Sequence, residues 1–309
     1  MARDGTGVSG EPRLEARAAA SVAAAVDAMD PGAARASGEN FPVALRLLPT
    51  SRRKYLMAVY GFARTTDDIG DRAPPEQRMR LLDELEADVR RLYASLGSRG
   101  GGGAAPQTDV VRALGPAVAG CGIPMQPFLD LIQANRQDQV VTRYQTFGDL
   151  VGYCRLSANP VGRVVLHVFG CFSARQAELS DSICTALQLA EHWQDVAEDL
   201  RAGRIYLPVE DMAEFGCTEE DLSQAAAVPQ VRALIAFETG RAKVMLDAGA
   251  PLIGTLRGAA RVAVAGYVAG GRAALAAITA ADHDVLRGPP LPRKQRLAAE
   301  LILAYSRGR

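Results

Sequence analysis

The sequence predicts an all-α fold, for three reasons. Apolar residues recur at steps of three and four, as in Leu56, Val59, Phe62 and Ala63, or Leu81, Leu82, Leu85, Val89 and Leu92. No run of alternating apolar and polar residues bounded by hairpin turns stands out. Proline and glycine fall between the periodic stretches, at Pro49, Pro74, Pro75, Pro124 and Gly203, where they stop helices.

A chain of 309 residues with 48% hydrophobic content can bury a substantial core. Lys plus Arg and Asp plus Glu number 35 each, so no global field favours nucleic acid, and any important electrostatics are local. Five cysteines with no CxxC pair read as reduced thiols of a cytoplasmic protein, without zinc or a disulfide frame. No secretory signal opens the chain, and no apolar run approaches the roughly 18 residues that cross a bilayer. Membrane contact, if made, is therefore expected to be peripheral, on the inner face of the cytoplasmic membrane.

In order, residues 1–36 are rich in Ala and Gly and read as a flexible tail. Order is expected from residue 37, with Leu45, Leu47 and Leu48 as a first anchor. Thr50 or Ser51 can cap a helix that runs through Asp67 to the Pro74–Pro75 stop. A charged helix over 76–96 follows, then an exposed Gly-rich loop over 98–108 that lacks the GK[ST] ending of a phosphate loop. Two helices over 109–135 break at residues 121–124.

Asp138, Arg143, Tyr144, Tyr153, Arg155 and Asn159 are polar residues within otherwise apolar helical sequence. If buried they need partners, so a polar network or a ligand cavity is expected there. Asn159 and Pro160 should interrupt the helix. A helix capped at Ser180 or Asp181 is predicted to run unbroken to about 202. Helices over 228–250 and 255–280 complete a single domain ending at 285. Residues 286–309 form a basic amphipathic tail suited either to an anionic bilayer or to solvent.

Two acidic stripes carry the chemistry. Gln188, Glu191, Asp195 and Asp199 follow steps of three, four and four, and so do Tyr60, Arg64, Asp67 and Asp71 in the order four, three and four. Carboxylates one turn apart repel, so a cation should face them. Magnesium takes hard oxygen ligands and combines a few carboxylates with water and phosphate oxygens. Asp67, Asp71, Asp195 and Asp199 could thus hold two or three ions against a diphosphate. The alternative is an ordinary solvated acidic face. Arg64 and Arg204 suit phosphate oxygens, while Arg64 could instead pair with Asp67 or Asp68.

YGFARTTDDIGD, together with Gln188, Asp195, Asp199 and the RIYLP ending at Arg204–Pro208, resembles the two aspartate-rich motifs of the squalene/phytoene synthase family, over residues 38–280. The resemblance implies an isoprenoid (terpenoid) synthase fold, a helical bundle around a deep apolar cavity with magnesium and an isoprenoid diphosphate at its mouth. ENFPVALRLLP, YCRLSANPVGR and the His-Trp-Gln-Asp form of the second motif resemble the family's hopanoid branch. That branch implies conversion of presqualene diphosphate to hydroxysqualene, by ionisation, cation rearrangement and water capture, without a reductant. The rival within the family is a head-to-head condensing synthase, and the rival outside it a non-catalytic helical assembly or lipid carrier.

The resemblance assigns metal binding to Asp67, Asp71, Glu191, Asp195 and Asp199. It assigns substrate contacts to Phe41, Tyr60, Arg64, Arg155, Gln188 and Arg204, and a catalytic part to Tyr153 and Asn159 beside the aspartates. Asn159, Arg155 or Tyr153 would place the quenching water; the alternative is a polar brace at a bent helix. Glu191 departs from the family's usual Asn, and Gly38–Asn40 from its Ser and Lys. No nicotinamide cofactor is expected, since no GxGxxG follows a strand. Hand-over to other squalene-pathway enzymes is the partnership implied. His167 and His192 lack metal spacing and read as core.

Overall fold

The computed structural model describes residues 49–97 and 104–307. Phe41 and the tail over 1–36 lie outside them. The described chain is helical throughout, with one isolated parallel bridge, Arg143 to Ile205.

The first helix, α1 (Thr50–Arg72), starts one residue earlier than a Thr50 cap requires and two earlier than a Ser51 cap: its N-cap is Pro49, and no side chain caps it. Leu56, Val59, Phe62, Thr66 and Gly70 form its buried face. Pro75 opens α2 (Pro75–Gly97), whose Leu82, Leu85, Val89 and Leu92 are buried as the periodicity predicts. Asp88, also fully buried on α2, accepts from the backbone N–H groups of Gln107 and Thr108 and from the Thr108 hydroxyl. It thereby fixes the start of α3 (Asp109–Cys121). Gly122, at φ +60, ends that helix, and α4 (Gln126–Gln137) follows.

A capping box between Thr146 and Asp149 starts α5 (Phe147–Ser157). The chain breaks at Ala158 and resumes as α6 (Asn159–Phe169), with Pro160 in its first turn as expected. Ser173, not Ser180 or Asp181, caps α7 (Ala174–Gln194), which begins two turns before the apolar pattern suggests. The expected unbroken helix to 202 is interrupted. Asp195 leaves the helical region at φ −102, ψ 12, and a short α8 (Val196–Arg201) restarts behind it.

Two short helices, α9 (Val209–Glu214) and α10 (Glu219–Leu222), lead to α11 (Pro229–Gly249), α12 (Leu252–Thr255) and α13 (Gly258–Ala280). α13 is long and apolar enough to cross a membrane by length and composition alone, although Arg261 and Arg272 keep its unbroken apolar run well short of 18 residues. Just over half of that apolar window, 56%, is buried against the rest of the molecule. Finally α14 (Lys294–Arg307) folds back on α13. Leu301 and Ala304 are buried, and Arg261 Nη2 donates to the Tyr305 carbonyl, so part of this segment's apolar surface is already covered by protein.

The helix at the centre is α7, packed against α6, α11 and α13. Small residues let the backbones approach. A Cβ on Gly249 of α11 would lie 2.6 Å from the Leu179 carbonyl oxygen and 2.9 Å from Ile183 N. One on Gly271 of α13 would lie 2.7 Å from a Leu187 methyl, and one on Gly162 of α6 would lie 2.4 Å from Ser180 Oγ. Beside this core sits a buried knot of charge. Arg241 Nη1 donates to Asp211 Oδ2 at 2.6 Å and to Glu238 Oε1 at 3.2 Å, while its guanidinium lies over the rings of Phe147 and Phe237. The knot ties α9 and the start of α5 to α11. Burial, with the Asp211 carboxyl alongside, pushes Glu238 up to about 8.

Candidate active site

The two acidic motifs meet through one arginine. Arg204 follows α8 because Gly203, at φ +83, turns the chain back, and the Arg204 N–H then donates to the Asp199 carbonyl. Its Nη2 reaches Asp71 Oδ1 on α1 at 3.1 Å, across 133 residues of sequence. The bridge is locked by the backbone: Ile205 N donates to the Thr142 carbonyl and Val209 N to the Tyr144 carbonyl.

Around Arg204 the carboxylates outnumber the cations. Burial pushes Asp199 up to about 7, reinforced by Asp195 and only partly opposed by Arg204. Asp195 rises to about 6, through burial and the neighbouring Glu198. Asp67 rises too, chiefly by burial, although Asn135 Nδ2 donates to it at 3.1 Å. Arg204 loses from burial but is held well above its usual range by Tyr206, Asp138 and Asp71. Such a cluster carries more negative charge than its own arginine offsets, and a cation entering it is favoured.

Asp138 belongs here although the sequence reading gave it no site role. It lies just past α4, and burial raises it to about 6 against the opposing effects of Tyr153 and Arg204. Tyr153 donates its hydroxyl to Asp138 Oδ2 at 2.8 Å, while Oδ1 is buried without a partner. The ring of Tyr153 packs with those of Tyr144 and Tyr206, and His192 stacks on Tyr206 at 3.7 Å between centroids. Burial pushes His192 down to about 3, so the ring is neutral, and Gln188 Nε2 lies 3.3 Å from its Nε2. The one advance signal for Asp138 was an acid inside an apolar helical stretch.

Not every expected residue joins the cluster. Arg64 Nε pairs with Asp68 at 3.5 Å, the same-helix alternative. Arg155 is exposed on α5, with no hydrogen bond or ion pair among the described residues, because Tyr153 and Cys154 take that helix's buried face. Helical bonds run on through the Asp195 break, from Asp195 N to the Glu191 carbonyl and from Asp199 N to the Asp195 carbonyl, and Asp195 and Asp199 stay close enough to repel; Glu191 is exposed at the end of α7. Tyr60 is half-buried on α1, and Asn159 is buried at the start of α6. Among the described residues no three carboxylate, imidazole or thiol groups converge closely enough to hold an ion alone. The donor set is one of hard oxygens, which suits a divalent cation completed by ligand phosphate and water.

The sequence model for squalene/phytoene synthase matches residues 34–297, spanning both acidic motifs and the RIYLP bridge between them. The chain belongs to the squalene/phytoene synthase family. Hydroxysqualene synthase from Sinorhizobium fredii is 33% identical over 222 residues, 71% of this chain and 72% of that protein. A 15-cis-phytoene synthase from Synechococcus elongatus is 31% identical over 245 residues, 75% and 76% of the two chains. The crystal structure of squalene synthase HpnC from Alicyclobacillus acidocaldarius superposes with a TM-score of 0.72 at 41% identity, covering 81% of this chain and 90% of that one. This member of the squalene/phytoene synthase family therefore has the isoprenoid synthase fold that its motifs implied, and it is an enzyme of a family that acts on isoprenoid diphosphates.

Proposed function

We propose that this enzyme converts presqualene diphosphate to hydroxysqualene in a magnesium-dependent reaction. The observation that carries the reading is the Arg204–Asp71 bridge, which brings both acidic motifs to one under-neutralised cluster. The hydroxysqualene synthases among its relatives supply the branch.

Asp67 and Asp71 from α1, Asp195 and Asp199 from around the α7 break, and Glu191 would hold two or three magnesium ions. When bound, magnesium neutralises the diphosphate and stabilises it as a leaving group. Arg204 presents its guanidinium to the departing oxygens and, released from Asp71, keeps the developing charge matched. Tyr153, Tyr206 and neutral His192 form an aromatic wall beside the cluster, and aromatic faces stabilise a nearby carbocation. Asn159 is the residue proposed to hold the quenching water. Water capture needs no hydride, so no nicotinamide is invoked. Peripheral contact with an anionic membrane through α14 and hand-over to other squalene-pathway enzymes complete the reading.

The test is product identification from purified enzyme with presqualene diphosphate and magnesium, with and without a reduced nicotinamide. Hydroxysqualene in both cases is the expected result. The condensing reading draws on the phytoene synthase relative; formation of presqualene diphosphate from farnesyl diphosphate alone would establish it instead.

A further inference from the structure

Asn159 is 4% exposed, so its amide must find partners inside the protein or in an internal water. Thr185 of α7, 2% exposed, donates its hydroxyl to Asn159 Oδ1 at 3.0 Å. They meet where α6 packs its glycine against α7 one turn further on: a Cβ on Gly162 would come within 2.5 Å of the Cys184 side-chain sulfur. With Oδ1 turned to Thr185, the Nδ2 end of the planar amide is directed away from it. Nδ2 donates to no described residue, yet it is not among the enclosed partnerless atoms such as Ser157 Oγ and Trp193 Nε1. It therefore keeps contact with water-sized space.

On α7, Thr185, Gln188 and His192 follow steps of three and four and share the face that leads to the second acidic motif. Thr185, buried in the helix, lies ten residues before Asp195, about 15 Å along the helix axis from the carboxylates. A water held there would meet the hydrocarbon of the substrate and not its diphosphate.

We propose that Thr185 is a positioning residue for water capture: its hydroxyl fixes the Asn159 amide so that Nδ2 holds the water that attacks the rearranged cation. The inference rests on the hydroxysqualene reading. The water accepts the Nδ2–H bond with one lone pair and forms the new C–O bond with the other. The resulting oxonium loses its proton through solvent to the diphosphate released in the ionisation step, so charge and atoms balance. Without the fixed amide, the cation loses a proton to give a hydrocarbon.

The experiment compares Thr185→Val with the unaltered enzyme, using presqualene diphosphate and magnesium, and reads diphosphate release and the alcohol-to-hydrocarbon ratio separately. Release should stay near normal, because the carboxylates are untouched. The ratio should fall about tenfold, the worth of one fixed hydrogen bond. Thr185→Ser keeps the donor and should restore the ratio. If the valine variant fails to release diphosphate, Thr185→Cys, a weak donor of similar size, carries the test and should lower the ratio. An unchanged ratio in the valine or cysteine variant, with alcohol formed by the unaltered enzyme, would overturn the role of Thr185 alone. No alcohol from the unaltered enzyme would overturn the hydroxysqualene reading and this inference with it.

Discussion

Glu238→Gln tests the buried knot through its pH dependence. Glu238 is fully buried, with its titration pushed up to about 8 from an ordinary 4.5. A carboxyl that titrates higher in the fold than in the unfolded chain stabilises the fold at low pH, and that stabilisation is lost as pH rises through the folded value. The window therefore runs from about 4.5 to about 8. At 1.36 kcal/mol per unit, this one group withdraws about 2 kcal/mol of stability between pH 6 and pH 8. Glutamine cannot titrate, yet it keeps an acceptor for Arg241 and a donor toward Asp211. Urea unfolding of both proteins at pH 6, 7 and 8 reads the difference directly, since the other buried acids are common to both. The unaltered protein should lose about 2 kcal/mol more than the variant across that range. Parallel stability curves would refute the assignment of a protonated Glu238.

Three further substitutions probe other parts of the structure. Asp138→Asn keeps an acceptor for the Tyr153 hydroxyl but removes a charge that helps hold Arg204; kcat/KM should fall about 10- to 100-fold, the scale of one charge-assisted hydrogen bond, and unchanged kinetics would remove Asp138 from the site. Gly249→Ala drives a methyl to 2.6 Å from the Leu179 carbonyl oxygen and should cost about 1–3 kcal/mol, read as a Tm lowered by several degrees. Gly266→Ala, with nothing within 4 Å, is the control and should leave Tm level or raised.

Most of the helical architecture was legible because its signals are local. The breaks near Pro74, Gly122 and Asn159 depend on residues adjacent in sequence. What was not legible depends on distant groups. The kink at Asp195 was hidden because the apolar period continues through it. Asp138 looked like any polar residue until Tyr153 and Arg204 were folded against it. Arg155 misled in the opposite way, since a motif position does not say which side of a helix faces inward. Arginines interrupt the apolar runs of α13, so it meets a length-and-composition test for a span only as a whole helix, with just over half of that window buried against protein.

The glycine contacts around α7 divide that helix into two halves with different freedom to vary. From Leu179 to Leu187 it is met by Gly162, Gly249 and Gly271, so an enlarged residue at any of those three positions has no room. From Gln188 onward Leu189, Ala190, His192 and Trp193 remain buried, while Glu191 stands exposed and Asp195 begins the polar cluster. Size is therefore the constraint along the packed half, and polar identity the constraint at the end that carries the second acidic motif. New product outcomes would then arise by exchanging polar groups over an unchanged helical frame, without the frame itself having to move.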